Sequence, residues 1–175
     1  PSQGRVGIDA DGDVVVAWEE ERLEGDGFLE QNIYARRYNS NLTPQPVSDT
    51  FRVNTTVTSD QEQAAVALSP NGDFLISWQS THPADGFDDV FAQFYSADGT
   101  TSGSEFRVNT TTSRDQRRPD IAFSSSTRAI VTWYGLGVGA TGLDIYHQRY
   151  DVSVPPPPAD DTTVSVDAQN RLLIT

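Results

Sequence analysis

Apolar and polar residues alternate along this chain in short runs, and the runs return at a regular interval. Val14-Val-Val-Ala-Trp18 is answered by Phe74-Leu-Ile-Ser-Trp78 and again by Ala129-Ile-Val-Thr-Trp133. Ahead of each stands a shorter run, holding Val6 and Ile8, then Val66 and Leu68, then Ile121 and Phe123. Behind each stands an aromatic run: Ile33–Tyr38, Val90–Tyr95 and Ile145–Tyr150. A period of two over four to eight residues predicts half-buried strands, and no stretch sustains the 3.6-residue period of a helix. Asp11-Gly12 and Asn71-Gly72 separate the first and second runs, dipeptides that favour type I′ hairpin turns.

A fourth run closes the unit. Phe51-Arg-Val-Asn-Thr-Thr56 recurs as Phe106-Arg-Val-Asn-Thr-Thr111, 55 residues later, and Asp60-Gln61 recurs as Asp115-Gln116 at the same offset. The first unit is longer by five residues, all of them between apolar runs, which marks those stretches as surface loops. The expected organisation is three tandem β repeats over residues 1–154 (about 1–61, 62–116 and 117–154). A Pro-rich linker follows at 155–161, and a truncated hairpin begins at 162–175, where Val166–Thr175 lines up with Ile8–Ala17. The predicted fold is all-β, with four-stranded antiparallel repeats stacked as β-propeller-like blades; the alternative is a β-sandwich. Too few repeats to close a ring, and an ending inside a hairpin, lead us to expect a piece of a longer polypeptide.

Composition narrows the functions. Twenty-five acidic residues against twelve basic ones, all Arg, leave a net charge of −13. Such a surface repels phosphate backbones, so nucleic acid is excluded as a partner. The absence of Cys excludes thiol catalysis and Cys metal sites. No apolar run approaches the length of a membrane span, so no membrane insertion is expected.

The order Phe-x-Val-Asn-Thr-Thr, Asp-Gln, apolar strand, Asp-Gly or Asn-Gly turn, strand ending in Trp, Gly/Asp loop and Tyr-Ala-Gln-Arg-Tyr resembles a repeat module of large secreted bacterial surface proteins. The resemblance covers roughly residues 4 to 150. Modules of that kind often adjoin calcium-binding nonapeptide repeats of the repeat-in-toxin class, which are absent here. Ala64 stands where the pattern has Pro, and Ser126-Thr127 replaces the Asp-Gly turn in the third unit. The resemblance implies export to the cell surface or beyond, calcium-rich surroundings and a structural or adhesive task.

Calcium is the cofactor these residues suggest, because it takes oxygens from clustered carboxylates and carbonyls. Asp9, Asp11 and Asp13 surround the first turn, but their counterparts in the third unit include Arg128, which confines any such site to the first. The loop after each Trp combines Gly with acid: Glu24 and Asp26 in the first unit, Asp85, Asp88 and Asp89 in the second. Crowded carboxylates repel one another unless a cation or solvent neutralises them. Trp18, Trp78 and Trp133 hold one repeat position beside apolar neighbours and are read as inter-sheet core. Tyr134 falls outside the repeat pattern and is the better surface platform for a sugar. Asn54 and Asn109 belong to glycosylation triplets, as does Asn41, but repetition of the first two suggests side chains that bond the backbone.

No repeated triad exists, since His82 and His147 occupy unrelated positions, and no Gly-x-Ser-x-Gly elbow is present. The expectation is a non-enzymatic structural or adhesive module, calcium-stabilised. Its partners would be other repeats of the same polypeptide or neighbouring subunits, with surface glycans as further candidates. A carbohydrate-binding, lectin-like module is the alternative, and a glycoside hydrolase fragment the third reading.

Overall fold

The computed structural model describes residues 1–23, 27, 29–45, 50–81, 86–136, 142–152, 162–166 and 172–174, the last two stretches by their backbone. The fold is all-β, built from three antiparallel sheets. The first contains β1 (Ser2–Ile8), β2 (Val14–Leu23), β3 (Leu29–Tyr38) and β4 (Phe51–Arg52). The second contains β5 (Gln61–Leu68), β6 (Phe74–Thr81), β7 (Asp88–Tyr95) and β8 (Thr101–Arg107). In the third, β9 (Gln116–Ser125), β10 (Arg128–Gly135) and β11 (Asp144–Asp151) are followed by β12 (Thr162–Val166) and β13 (Leu172–Ile174). Strands are neighbours in chain order in all three. Among the described residues there is no helix long and apolar enough to cross a membrane.

Register repeats along with sequence. Trp18 pairs with Tyr34, Trp78 with Phe91 and Trp133 with Tyr146. The fourth strands also coincide: Tyr34 faces Arg52 and Phe91 faces Arg107. In the third sheet Tyr146 faces Thr163, so β12 takes the register that the Phe-Arg pair fills elsewhere. Strands β12 and β13 therefore add a strand pair to the edge of the third sheet.

The second sheet lies between the other two and buries both faces, which is why Phe74-Leu-Ile is apolar without interruption. Val15, Ala17, Ile33 and Ala35 of the first sheet cover Phe74, Ile76 and Trp78 of the second. Leu75, Val90 and Ala92 on the opposite face of the second sheet cover Ala129, Val131 and Trp133 of the third. Trp78 and Trp133 are fully buried, as core packing requires, while Trp18 is half-buried.

Two local features differ from the turn chemistry expected. Gly12 and Gly72 have φ of 88° and 86°, but Asp11 and Asn71 are not left-handed, so neither turn is type I′. Each is a longer loop in which Gly alone takes the left-handed position, closed by Asp9 N–H to Asp13 O at 3.0 Å and Ser69 N–H to Asp73 O at 2.7 Å. The first strand of every sheet also carries a bulge at a residue of positive φ: Gln3 (47°), Gln63 (55°) and Arg118 (52°).

Candidate functional site

Two of the bulge residues, Gln63 and Arg118, line a cleft between the second and third sheets. In the second interface the Arg118 N–H donates to Gln79 Oε1 at 3.3 Å; in the first, the Gln63 N–H donates to Glu19 Oε1 at 2.7 Å. A left-handed residue aims its N–H across the interface and turns neighbouring side chains toward the gap. Between the second and third sheets that gap is a cleft of about 460 Å³, lined by Glu62 and Gln63 of β5, Gln79 and Thr81 of β6, Asp88 of β7, Arg117 and Arg118 of β9, and Tyr134 of β10.

Its floor is a charged network. Asp88, 5% exposed, accepts from Thr81 Oγ1 at 2.7 Å and pairs with the Arg117 guanidinium. Arg117 also reaches Asp115 at 3.0 Å. The hydrogen bond to Asp88 makes the guanidinium hold its proton more firmly than usual. Gln79 Nε2 donates to Glu62 Oε2 at 3.4 Å. Burial pushes the Glu62 carboxyl above the usual carboxylate range, and the charges of Asp60, Glu19 and Asp88 push it the same way against Arg117. At the rim the Arg118 guanidinium lies 5.6 Å from the centre of the Tyr134 ring. The cleft thus offers carboxylate and amide acceptors, guanidinium donors and an aromatic face, a set that matches polyhydroxylated ligands.

Of the residues expected to bind calcium, Glu24, Asp26 and Asp85 lie outside the described residues. Asp88 and Asp89 begin strand β7 and are buried. The charges that face them are arginines: Arg117 for Asp88, and Arg107, 3.6 Å away, for Asp89, which also accepts from Asn109 at 2.6 Å. Asp9 accepts from the N–H groups of Asp11 and Asp13, and Asp13 accepts from the Ser40 N–H at 2.8 Å. These three aspartates line a separate recess of about 100 Å³ that also includes Arg37. Among the described residues no three acidic or His side chains converge on a common point suited to a metal.

Tyr134, the platform singled out by its departure from the repeat, stands in the cleft wall. Glu62, Gln79, Arg117 and Arg118 were missed. Their signal was the same departure: Arg117 stands where the second unit has Glu62, Arg118 where it has Gln63, and Tyr134 where it has Gln79. Positions that keep their identity between repeats hold the sheets together, while positions that change line the opening.

No protein-family model matches the chain, and no curated protein matches it. Solved structures do. An endo-arabinase from Bacteroides thetaiotaomicron superimposes with a TM-score of 0.50 at 15% identity, over 87% of this chain and 56% of that one. An N-acetylgalactosamine deacetylase from F. plautii, in complex with blood group B trisaccharide, gives a TM-score of 0.54 at 10% identity, over 83% and 48%. The chain spans about half the length of either structure. At such identities the likeness is one of fold. It corrects the expectation of a non-enzymatic structural or adhesive module: these two structures are an arabinase and a sugar deacetylase, and the carbohydrate-binding alternative fits them better. The expectation erred because it was drawn from what the repeats share, and shared positions report packing.

Proposed function

We propose that this chain is a carbohydrate-recognising part of a propeller-like protein, its three sheets acting as successive blades and its saccharide lying in the cleft between the second and third. The observation that carries this reading is the meeting of the Tyr134 ring with Glu62, Gln79, Asp88 and Arg117 in one open cleft. A sugar ring has an apolar C–H face that stacks on an aromatic side chain and hydroxyls that both donate and accept. The fold shared with an arabinase and an N-acetylgalactosamine deacetylase supports the same ligand class. An exported setting suits it, as the resemblance to secreted surface repeats implies.

Titration calorimetry with arabinan oligosaccharides and with N-acetylgalactosamine-terminated glycans tests the proposal. The expected result is binding that falls about tenfold or more in Tyr134→Ala, the loss of roughly 1.4 kcal/mol or more of stacking. Absence of binding to both classes, or binding indifferent to Tyr134, would overturn it.

A second reading, hydrolysis of the bound saccharide, is favoured by the two carboxyls of the cleft. Burial pushes the Glu62 carboxyl above the usual carboxylate range, the direction a general acid at a glycosidic bond needs, and Asp88 is a second carboxyl in the same cleft. Product analysis by chromatography decides it: turnover lost in Glu62→Gln would support hydrolysis, and intact oligosaccharide after prolonged incubation would leave binding alone.

A further inference from the structure

The first sheet presents to solvent the face that the other two sheets bury. Val6 and Ile8 are 67% and 64% exposed, whereas Val66 and Leu68, their counterparts in the second sheet, pack against the first. Val14, Val16 and Trp18 are half-buried, whereas Phe74, Ile76 and Trp78 are fully buried. Arg36, opposite Val16 on this face, has a buried Nε without a hydrogen-bond partner. On the same face Arg22 covers Tyr34, 4.1 Å from its ring centre, while Val6 and Ile8 stay open, and exposed apolar neighbours of this kind mark an interaction site.

The two interfaces within the molecule identify what would cover it. In both, the incoming face offers matching residues: Val15, Ile33, Ala35 and Val53 in the first interface, then Leu75, Val90, Ala92 and Val108 in the second. In both, the residue after the tryptophan accepts the bulge N–H of the next sheet. The bulge at Gln3, with φ of 47°, repeats the donor half of that arrangement on the uncovered side. We infer that the open face of the first sheet is a docking surface for a further four-stranded sheet of this same repeat type, one that carries small and β-branched residues outward and Gln or Glu after its tryptophan. The third sheet of a second copy does not meet that description. His147 occupies the place of Ala35 and Ala92, both fully buried, and a side chain of that size holds an incoming strand away.

The surface is distinct from the cleft, so its test is independent of saccharide binding. The chain has no cysteine, and Val6→Cys therefore places a single reporter thiol on the open face. A second copy of residues 55–115 fused ahead of Pro1 sets its Asp-Gln register where the first sheet begins. The expected result is reaction with a thiol reagent slowed about 100-fold relative to the unfused Val6→Cys chain, with the slowing lost when Leu75→Asp and Val90→Asp are introduced in the added copy alone. A thiol that reacts equally fast in the fusion overturns the inference, whether the added segment is unfolded or seats elsewhere. Sedimentation of the 175-residue chain supplies the second measurement. A monomer agrees with the inference, and concentration-dependent association abolished by labelling Val6→Cys would replace the extra repeat with a second copy.

Discussion

Asn54 and Asn109 perform the same task in successive sheets, and the task explains why the triplet Asn-Thr-Thr repeats. The Asn109 carbonyl accepts the Val90 N–H at 2.7 Å, while its amide donates to Asp89 at 2.6 Å and to Thr111 O at 2.8 Å. Asn54 makes the equivalent bonds to Ile33, Asn32 and Thr56. Each side chain is 2% exposed and stitches the end of a fourth strand to the third. Replacing Asn109 by Ala leaves a buried N–H and the Asp89 carboxylate short of a partner, and urea unfolding is expected to show a loss of about 2–3 kcal/mol. Gln61 and Gln116 are the second such pair, accepting the indole N–H of Trp78 and Trp133 at 2.9 Å. Glu62, one residue further on, is not a repeat-keeping residue and has the opposite energetic sign. Its carboxyl binds a proton more tightly in the folded chain than the ordinary value of 4.5. The folded state therefore holds the extra proton as pH rises through that value, and stability falls until the folded group also ionises. Glu62→Gln is expected to melt with the parent at about pH 4 and above it at about pH 8, measured by differential scanning calorimetry.

The bulged first strand is the element that ties each sheet to the one before it. At Gln63 the backbone is left-handed at 55°, and its N–H is spent on Glu19 across the interface. Gln63→Gly relieves the Cβ strain of that conformation and is expected to add up to about 1 kcal/mol, whereas Gln63→Pro, locked near −65° and without an N–H, is expected to prevent cooperative unfolding altogether. Circular dichroism melts separate the two outcomes. The strands themselves were legible, because burial of one face makes β2 and β10 alternate and burial of both makes β6 continuously apolar, and the recurring Trp marked the repeat. The bulge was not legible. Gln3, Gln63 and Arg118 share no side-chain type that signals positive φ, and the conformation is imposed by the neighbouring sheet. The fourth strand of the third sheet was hidden for a related reason. Thr162-Thr163 takes the register of Phe51-Arg52 through backbone pairing, with no likeness in sequence. The site was legible only at Tyr134 and Asp88, the latter expected to hold calcium, since the cleft is assembled from residues that lie on five strands of two sheets and meet only when those sheets stack.

Stability in such a stack is a sum over sheets and the interfaces between them, so one repeat position can matter greatly in one sheet and little in another. Val16, Ile76 and Val131 occupy the same position in the three second strands. Ile76 and Val131 are fully buried beneath the preceding sheet, while Val16 faces outward on the first sheet and is only half-buried. Truncating Ile76 to Ala removes methyl groups from a dry interface and leaves a cavity, a loss of about 2–5 kcal/mol. Val16→Ala removes groups that water already reaches, so its cost is expected to stay under about 1 kcal/mol. Guanidinium unfolding of the two variants measures the asymmetry directly, and the denaturant slope should not change, since the surface exposed on unfolding is nearly the same. Equal losses at Val16 and Ile76 would mean that the first sheet is already covered, and the stack would then end on a closed face instead of an adhesive one.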